Sequence, residues 1–197
     1  MSTPYEILAP AGLTAYLAAA NTTEPNVDAT PPAATWFKLG TNGTENYDEG
    51  GLSVKQGQSI KTFTGLGSTA ATKAWRESEQ QEVGFTMYDL TAEQYAKALN
   101  GVSVTTVVAA AGVPGSKWIP LLQGYEVTLF ALLLRGNVSP YGDSMNLQYW
   151  MPMVYQAESP EPTSKKAEPM GLKLNWMNLK DLTNGFGKFR PQTAPGL

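Results

Sequence analysis

Apolar and polar positions alternate with a period of two along most of this chain, and that period predicts strands. In "GLTAYLAAA", Leu13, Ala15 and Leu17 alternate against Thr14 and Tyr16, which places a first strand beginning near Leu13. "TWFKLG" reads as a short strand stopped by Gly40, and "LSVKQ" resumes the alternation with Leu52 and Val54 on one face. The intervening "NTTEPNVDATPPAA" has no periodicity and several prolines, so it reads as a loop or arm, and "TNGTENYDEGG" as a turn-rich connection. Later strands are expected from Tyr125 to Leu134, in "MNLQYWMPMVYQ" and in "MGLKLNWMNL". Pro152 lacks an amide donor and marks an edge or a bulge. "AESPEPTSKKAEP" is a charged, proline-rich loop, and the Gly- and Pro-containing tail from about residue 183 is expected to be loosely held.

The stretch "SIKTFTGLGSTAATKAW" carries β-branched residues on both sides of a Gly/Ser/Ala centre, which predicts two strand arms meeting at a tip near residues 65–71. Along the second arm Val83, Phe85 and Met87 fall on one face and Glu82, Gly84, Thr86 and Tyr88 on the other. From Arg76 to Gln81 neither face is apolar. A strand without an apolar face has no core beneath it, so this arm belongs to a long hairpin projecting beyond the domain body.

The arm leads into a marked helix start. Thr91 and Gln94 have capping-box spacing, Leu90 and Tyr95 have staple spacing, and Gly101 follows Asn100 where a left-handed residue would end the helix. One short helix is therefore expected over about 92–99. The pattern predicts a mainly β fold for residues 1–197 as a single domain: an antiparallel sandwich or barrel with one short helix and a long projecting hairpin.

A chain of 197 residues buries roughly 70% of its unfolded surface and can hold a core without staples. Cysteine and histidine are both absent, which removes thiolate and imidazole metal sites, Ser/His and Cys/His nucleophiles and the commonest acid or base near neutral pH. No acid, base and nucleophile set can be assembled, so the chain reads as no enzyme, with no cofactor and no metal. A net charge of −3 argues against a basic patch for tight DNA binding. The apolar run "YEVTLFALLLRG" is shorter than the ~20 residues of a spanning helix, and membrane insertion is not expected.

Two motifs compete with this reading. "GLGSTA" matches a loose dinucleotide fingerprint at Gly65, Gly67 and Ala70, but the strand before it is polar and "STAATKAWRESEQ" lacks the apolar stripe of a packed helix. The tip of a hairpin accounts for it better. Glu77, Glu79 and Glu82, or Glu45, Asp48 and Glu49, could supply a carboxylate pair, though solvated surface explains both sets.

The long hairpin, the strand entering "LTAEQYAKALNG" and late strands such as "YEVTLFALLLRG" together resemble the major tail tube protein of long-tailed (siphovirus-type) bacteriophages, over roughly residues 5–182. The loop of residues 21–34, the "AAAGVPGSKWIP" insertion and the loop of residues 157–169 depart from a compact member. The resemblance implies a virion structural protein, made in the bacterial host cytoplasm, that forms homohexameric rings stacked into a tail tube for genome ejection. Its implied partners are further copies of itself, the tail terminator, tape measure and baseplate proteins, and transiently passing DNA. On this reading Gln80, Glu82 and Thr86 face the lumen, while Lys61, Phe63, Trp75, Glu77 and Glu79 make intersubunit or inter-ring contacts. DNA carries one charge per roughly 1.7 Å, so a wall of acids and amides would let it slide where free lysines would hold it. The alternative expectation is a β-sandwich that binds carbohydrate or a host surface, as a virion decoration or fibre component.

Overall fold

Ala15 and Leu17 turn to one side of the first strand and Tyr16 and Ala18 to the other, and both sides are covered. The computed structural model describes residues 12–28, 32, 35–136, 139–142, 145–164 and 166–194. Among them the strands are β1 (Thr14–Ala19), β2 (Phe37–Lys38), β3 (Ser53–Phe63), β4 (Lys73–Met87), β5 (Thr105–Val107), β6 (Ser116–Trp118), β7 (Phe130–Gly136), β8 (Leu147–Gln156), β9 (Pro162–Thr163), β10 (Gly171–Asn178) and β11 (Lys188–Pro191). One α-helix, α1 (Ala92–Ala98), follows β4, and a 3-10 turn occupies Gly43–Asn46. All strand pairs are antiparallel, so the fold is mainly β, as the alternation predicts.

The main sheet runs β2-β1-β7-β8-β10-β4-β3, with β9 beside β10 and β11 beside β8; β5 and β6 form a separate pair. One apolar cluster joins strands from both ends of this path: Ala15 and Leu17 of β1, Leu132 and Leu134 of β7, Leu172, Leu174 and Trp176 of β10, and Val83, Phe85 and Met87 of β4. Burying each of the larger side chains contributes about 1.5–3 kcal/mol. Strands so far apart in one sheet can share a core only if the sheet curls. Tyr47 ties the curl: it bridges Met87, its ring lies 4.8 Å from Phe85, and its hydroxyl accepts from the Ala15 amide (3.0 Å) and donates to the Leu39 carbonyl (2.7 Å).

The opposite face of β1, β7 and β8 is covered by the chain from Asn21 to Asp28. The Trp150 indole donates to the Thr22 carbonyl (3.1 Å), and Arg135 donates to the Asn26 carbonyl (2.7 Å) and to Gln148. Gln148, fully buried, reaches the Glu24 carboxylate (2.8 Å) and the Pro25 carbonyl (3.1 Å). The first half of the expected arm is therefore a strap held by polar groups inside otherwise apolar strands. Its remaining residues, 29–31 and 33–34, lie outside the described residues.

Four expectations are corrected. The strand expected from Tyr125 begins only at Phe130; Tyr125 and Val127 are exposed, and Asn100 (φ 63) holds this segment by donating to the Gln123 and Glu126 carbonyls. The tail expected to be loose forms β11: Phe189 lies 4.6 Å from the Tyr149 ring, and Arg190 bridges Glu24 at 3.0 Å. Gly187 (φ +98) makes this docking possible, because a Cβ there would meet the Trp150 carbonyl oxygen at 1.9 Å. Thr91 occupies the N-cap of α1 but its side chain makes no capping bond. Gln94 completes no capping box either; it is buried and donates to the Lys38 carbonyl at 3.1 Å, while Asp89 accepts the Thr91 amide at 3.1 Å.

Pro152 does mark a bulge. β7 and β8 pair Leu132 with Met151 and then Phe130 with Val154, so β8 carries an extra residue there. At this bulge β8 changes partner on its other edge, from β10 at Val154 to β11 at Trp150.

Candidate assembly surface

β10 flanks β4 only from Met87 to Glu82. Beyond that row β4 pairs with β3 alone, as far as Lys73, and β3 has no second partner among the described residues. The result is a two-stranded ribbon whose side chains are almost all exposed from Gly57 to Phe63 and from Lys73 to Gln80. The turn joining its arms spans residues 64–72, so "GLGSTA" is the tip of the hairpin and not a phosphate loop.

Val83, Phe85 and Met87 are buried, and Glu82, Gly84 and Thr86 lie half-buried on the opposite face. The ribbon does not continue this alternation to its tip. Ser59 pairs with Ser78 and Ile60 with Arg76, which leaves Glu77 as the extra residue of a β-bulge. Because cross-strand partners share a face, straight alternation would set Trp75 opposite Gln80 and Glu82, and the bulge returns it to their face, beside Lys61 and one pair from Phe63. Glu77 joins that face too: it accepts from Ser59 at 3.4 Å and pairs with Lys61. Only Glu79 of the expected contact set lies on the other face, where it bridges Arg76 at 3.2 Å while Arg76 donates to Gln58 at 3.1 Å. Lys61, Phe63, Trp75, Glu77, Gln80, Glu82 and Thr86 thus form one continuous surface.

Most charges on that surface are paired, Lys73 opposite Phe63 at its outer end excepted. Lys55 faces Glu82 at 3.4 Å, Lys61 faces Glu77, and Lys173 faces Glu158 at 2.9 Å. Asn175 also donates to Glu82 at 2.6 Å. Gln80 lies across Gly57, where an added Cβ would meet its Cγ at 3.0 Å. Lys173 holds the Glu158 carboxyl below its usual range, and Glu158 in turn raises Lys173. Solvent-exposed pairs of this kind contribute at most about 1 kcal/mol each, so they set the character of the surface more than its stability.

At the base of the ribbon, a cleft of about 390 Å³ separates the β4 arm from β11, lined by Gln56, Gln58, Arg76, Gln81, Tyr149 and Phe189 among others. Asn178 ties two of its lining residues together, donating to Gln81 (2.9 Å) and to the Phe186 carbonyl (2.6 Å). No group of three or more potential metal ligands occurs among the described residues, and none of their helices is long and apolar enough to cross a membrane.

The bulge at Glu77 and the strap had weak signals in the sequence. A strand without apolar residues cannot show where its alternation changes phase. The strap could have been sought from Arg135 and Gln148, which are polar residues inside apolar strands. No protein-family model matches the chain, and no curated protein matches it.

Proposed function

We propose that this chain is a structural virion protein that polymerises through its hairpin into rings stacked as a phage tail tube, through which the genome leaves. The observation that carries the reading is the ribbon with two open edges. An unpaired edge is a template for another strand, and a soluble chain normally shortens or covers it. β3 carries Lys55 and Lys61 and no acid, whereas β4 from Lys73 to Glu82 carries two basic and three acidic residues. Because Lys55 and Lys61 are already paired with Glu82 and Glu77 across the ribbon, what the β3 edge of one copy offers the β4 edge of the next is its unpaired backbone. Such a contact is head-to-tail, and repeated rotation closes it into a ring or extends it as a filament.

The part of this face where each lysine has a glutamate partner suits a lumen wall. Lys55 and Lys61 each have a glutamate partner, so neither is a free cation able to displace the counterions of passing DNA. Gln80, Glu82 and Thr86 are then the wall residues, with Trp75 and Phe63 towards the tip as contacts to a neighbouring copy. Negative-stain microscopy and sedimentation of the purified protein test the reading. Rings or tubes are expected, and a monomer at every concentration would overturn it.

The cleft beside β11 favours a second reading, a carbohydrate-binding module. Glutamine amides and Arg76 could bond sugar hydroxyls while Phe189, exposed against Tyr149, offers an aromatic shelf. Soluble monomers retained on a glycan column would decide for it.

A further inference from the structure

Most of the large hydrophobic side chains exposed among the described residues fall into two groups. One is the outer hairpin, with Ile60, Phe63, Leu66 and Trp75. The other is the segment of residues 102–128, where Trp118, Leu121, Leu122 and Tyr125 are exposed. This segment is a long excursion from the sheet. It contains the separate β5–β6 pair, it is tied at its base by Asn100, and one ion pair joins Lys117 to Glu93 of α1. A loop of such length that exposes aromatic and leucine side chains marks an interaction surface.

Both groups are also nearly free of charge. Residues 62–72, between Lys61 and Lys73, contain no charged side chain, and residues 102–128 contain only Lys117, which already has its partner, and Glu126 at the base of the arm. Either surface can therefore be desolvated without stranding an ion, as the centre of a stable interface requires. A polymer of one chain needs two different complementary surfaces on each copy, and these are the two apolar projections the described chain offers.

Building on the assembly reading above, we infer that the arm of residues 102–128 is the seat for the hairpin tip of a second copy, with Leu66 and Phe63 packing against Trp118, Leu121 and Leu122. The contact is additional to the pairing of ribbon edges. It gives the segment a partner that its own subunit does not supply.

The chain has no cysteine, so disulfide mapping has no background. A Leu66→Cys/Leu122→Cys variant is assembled, checked by microscopy and mildly oxidised. Linkage between position 66 of one copy and position 122 of another is expected, giving a ladder of covalent oligomers on a non-reducing gel. Polymers that form without this linkage, or single-cysteine variants that dimerise with themselves instead, overturn the inference and leave the assembly reading standing. Failure to assemble even before oxidation and in the unsubstituted chain overturns both. Leu122→Asp provides the second arm: it should keep the unfolding temperature and raise the concentration needed for polymerisation on the order of tenfold. Unchanged polymerisation would overturn the inference.

Discussion

Asn178 donates its side-chain amide to Gln81 across 2.9 Å, one row beyond the last pair in which β10 still flanks β4. Both residues are buried, and the same Asn178 amide nitrogen donates to the Phe186 carbonyl on the way to β11. This pair is the hinge point between the cored half of β4 and its free half. Asn178→Ala leaves the buried Gln81 side-chain oxygen and the half-buried Phe186 carbonyl without that donor, at about 1–3 kcal/mol for the buried group left unsatisfied. The expected outcome is a lower unfolding temperature together with faster amide exchange at residues 76–81. An unchanged exchange pattern would show that the ribbon is anchored elsewhere.

Asp89, rather than Thr91, should carry the helix start. Its carboxylate accepts from the Thr41 amide at 2.8 Å, from the Thr41 hydroxyl and from the Thr91 amide. Burial pushes its pKa up, but these hydrogen bonds outweigh burial and hold it below the ordinary value. A depressed folded-state pKa gives stability that is present above the unfolded value, about 3.9, and is lost as pH falls through the folded value. Asp89→Ala should cost about 1.5–3 kcal/mol at neutral pH and flatten the acid limb of the stability curve, whereas Thr91→Ala should cost far less. Urea titrations of the two variants between pH 2 and 7 measure the difference.

Gly187→Ala should undo the docking of β11. Neither the left-handed backbone nor the approach to the Trp150 carbonyl tolerates a side chain. Tryptic cleavage after Lys188 should accelerate, with the rest of the sheet retained by circular dichroism. Cleavage at the parental rate would mean that the tail accommodates the methyl group by another route.

Trp75→Ala should separate folding from assembly. The side chain is exposed on the ribbon, so truncation should leave the unfolding temperature within a degree or two while impairing polymerisation. A loss of subunit stability comparable to a core truncation would place Trp75 in a packing role instead.

Converting Gln80 and Glu82 to lysine should make the ribbon face bind DNA. The change removes the partner of Lys55 and adds two cations beside it. Assembled protein carrying both substitutions should retain duplex DNA at low salt and release it at high salt, while the parental assembly retains none at either. Equal DNA retention by the two assemblies would mean that these positions do not face the proposed channel.

The parts of the fold legible in the sequence are those where a core imposes a period. Val83, Phe85 and Met87 disclose their common face because burial selects every second residue, and Pro152 discloses its bulge because a missing amide cannot be hidden in a ladder. Where burial does not select, the pattern is silent. β11 docks through backbone pairing, the Gly187 approach and an aromatic contact, so Lys188, Phe189 and Arg190 carry no alternation to read. The segment from Tyr125 to Thr128 shows the converse error, since its apolar residues look like core while Tyr125 and Val127 face outward. The open ribbon was legible from its polarity, but the shared face of Trp75 and Gln80 depends on one bulge that polarity cannot locate.

The strap over β7 and β8 also sets an order of events in the growing chain. Gln148 and Glu24 stand 124 positions apart, whereas Arg76 and Gln58 in the ribbon are 18 apart. Closing the longer loop costs more entropy and depends on strands made much later, while a hairpin can form within about 1–10 μs of its synthesis. The ribbon is therefore presented before Asn178 and β11 exist to fix its base. Newly made chains expose their strand-pairing edges while the core is still incomplete, so crowding of nascent copies favours premature association, and slower synthesis with fewer chains at once favours correctly closed subunits.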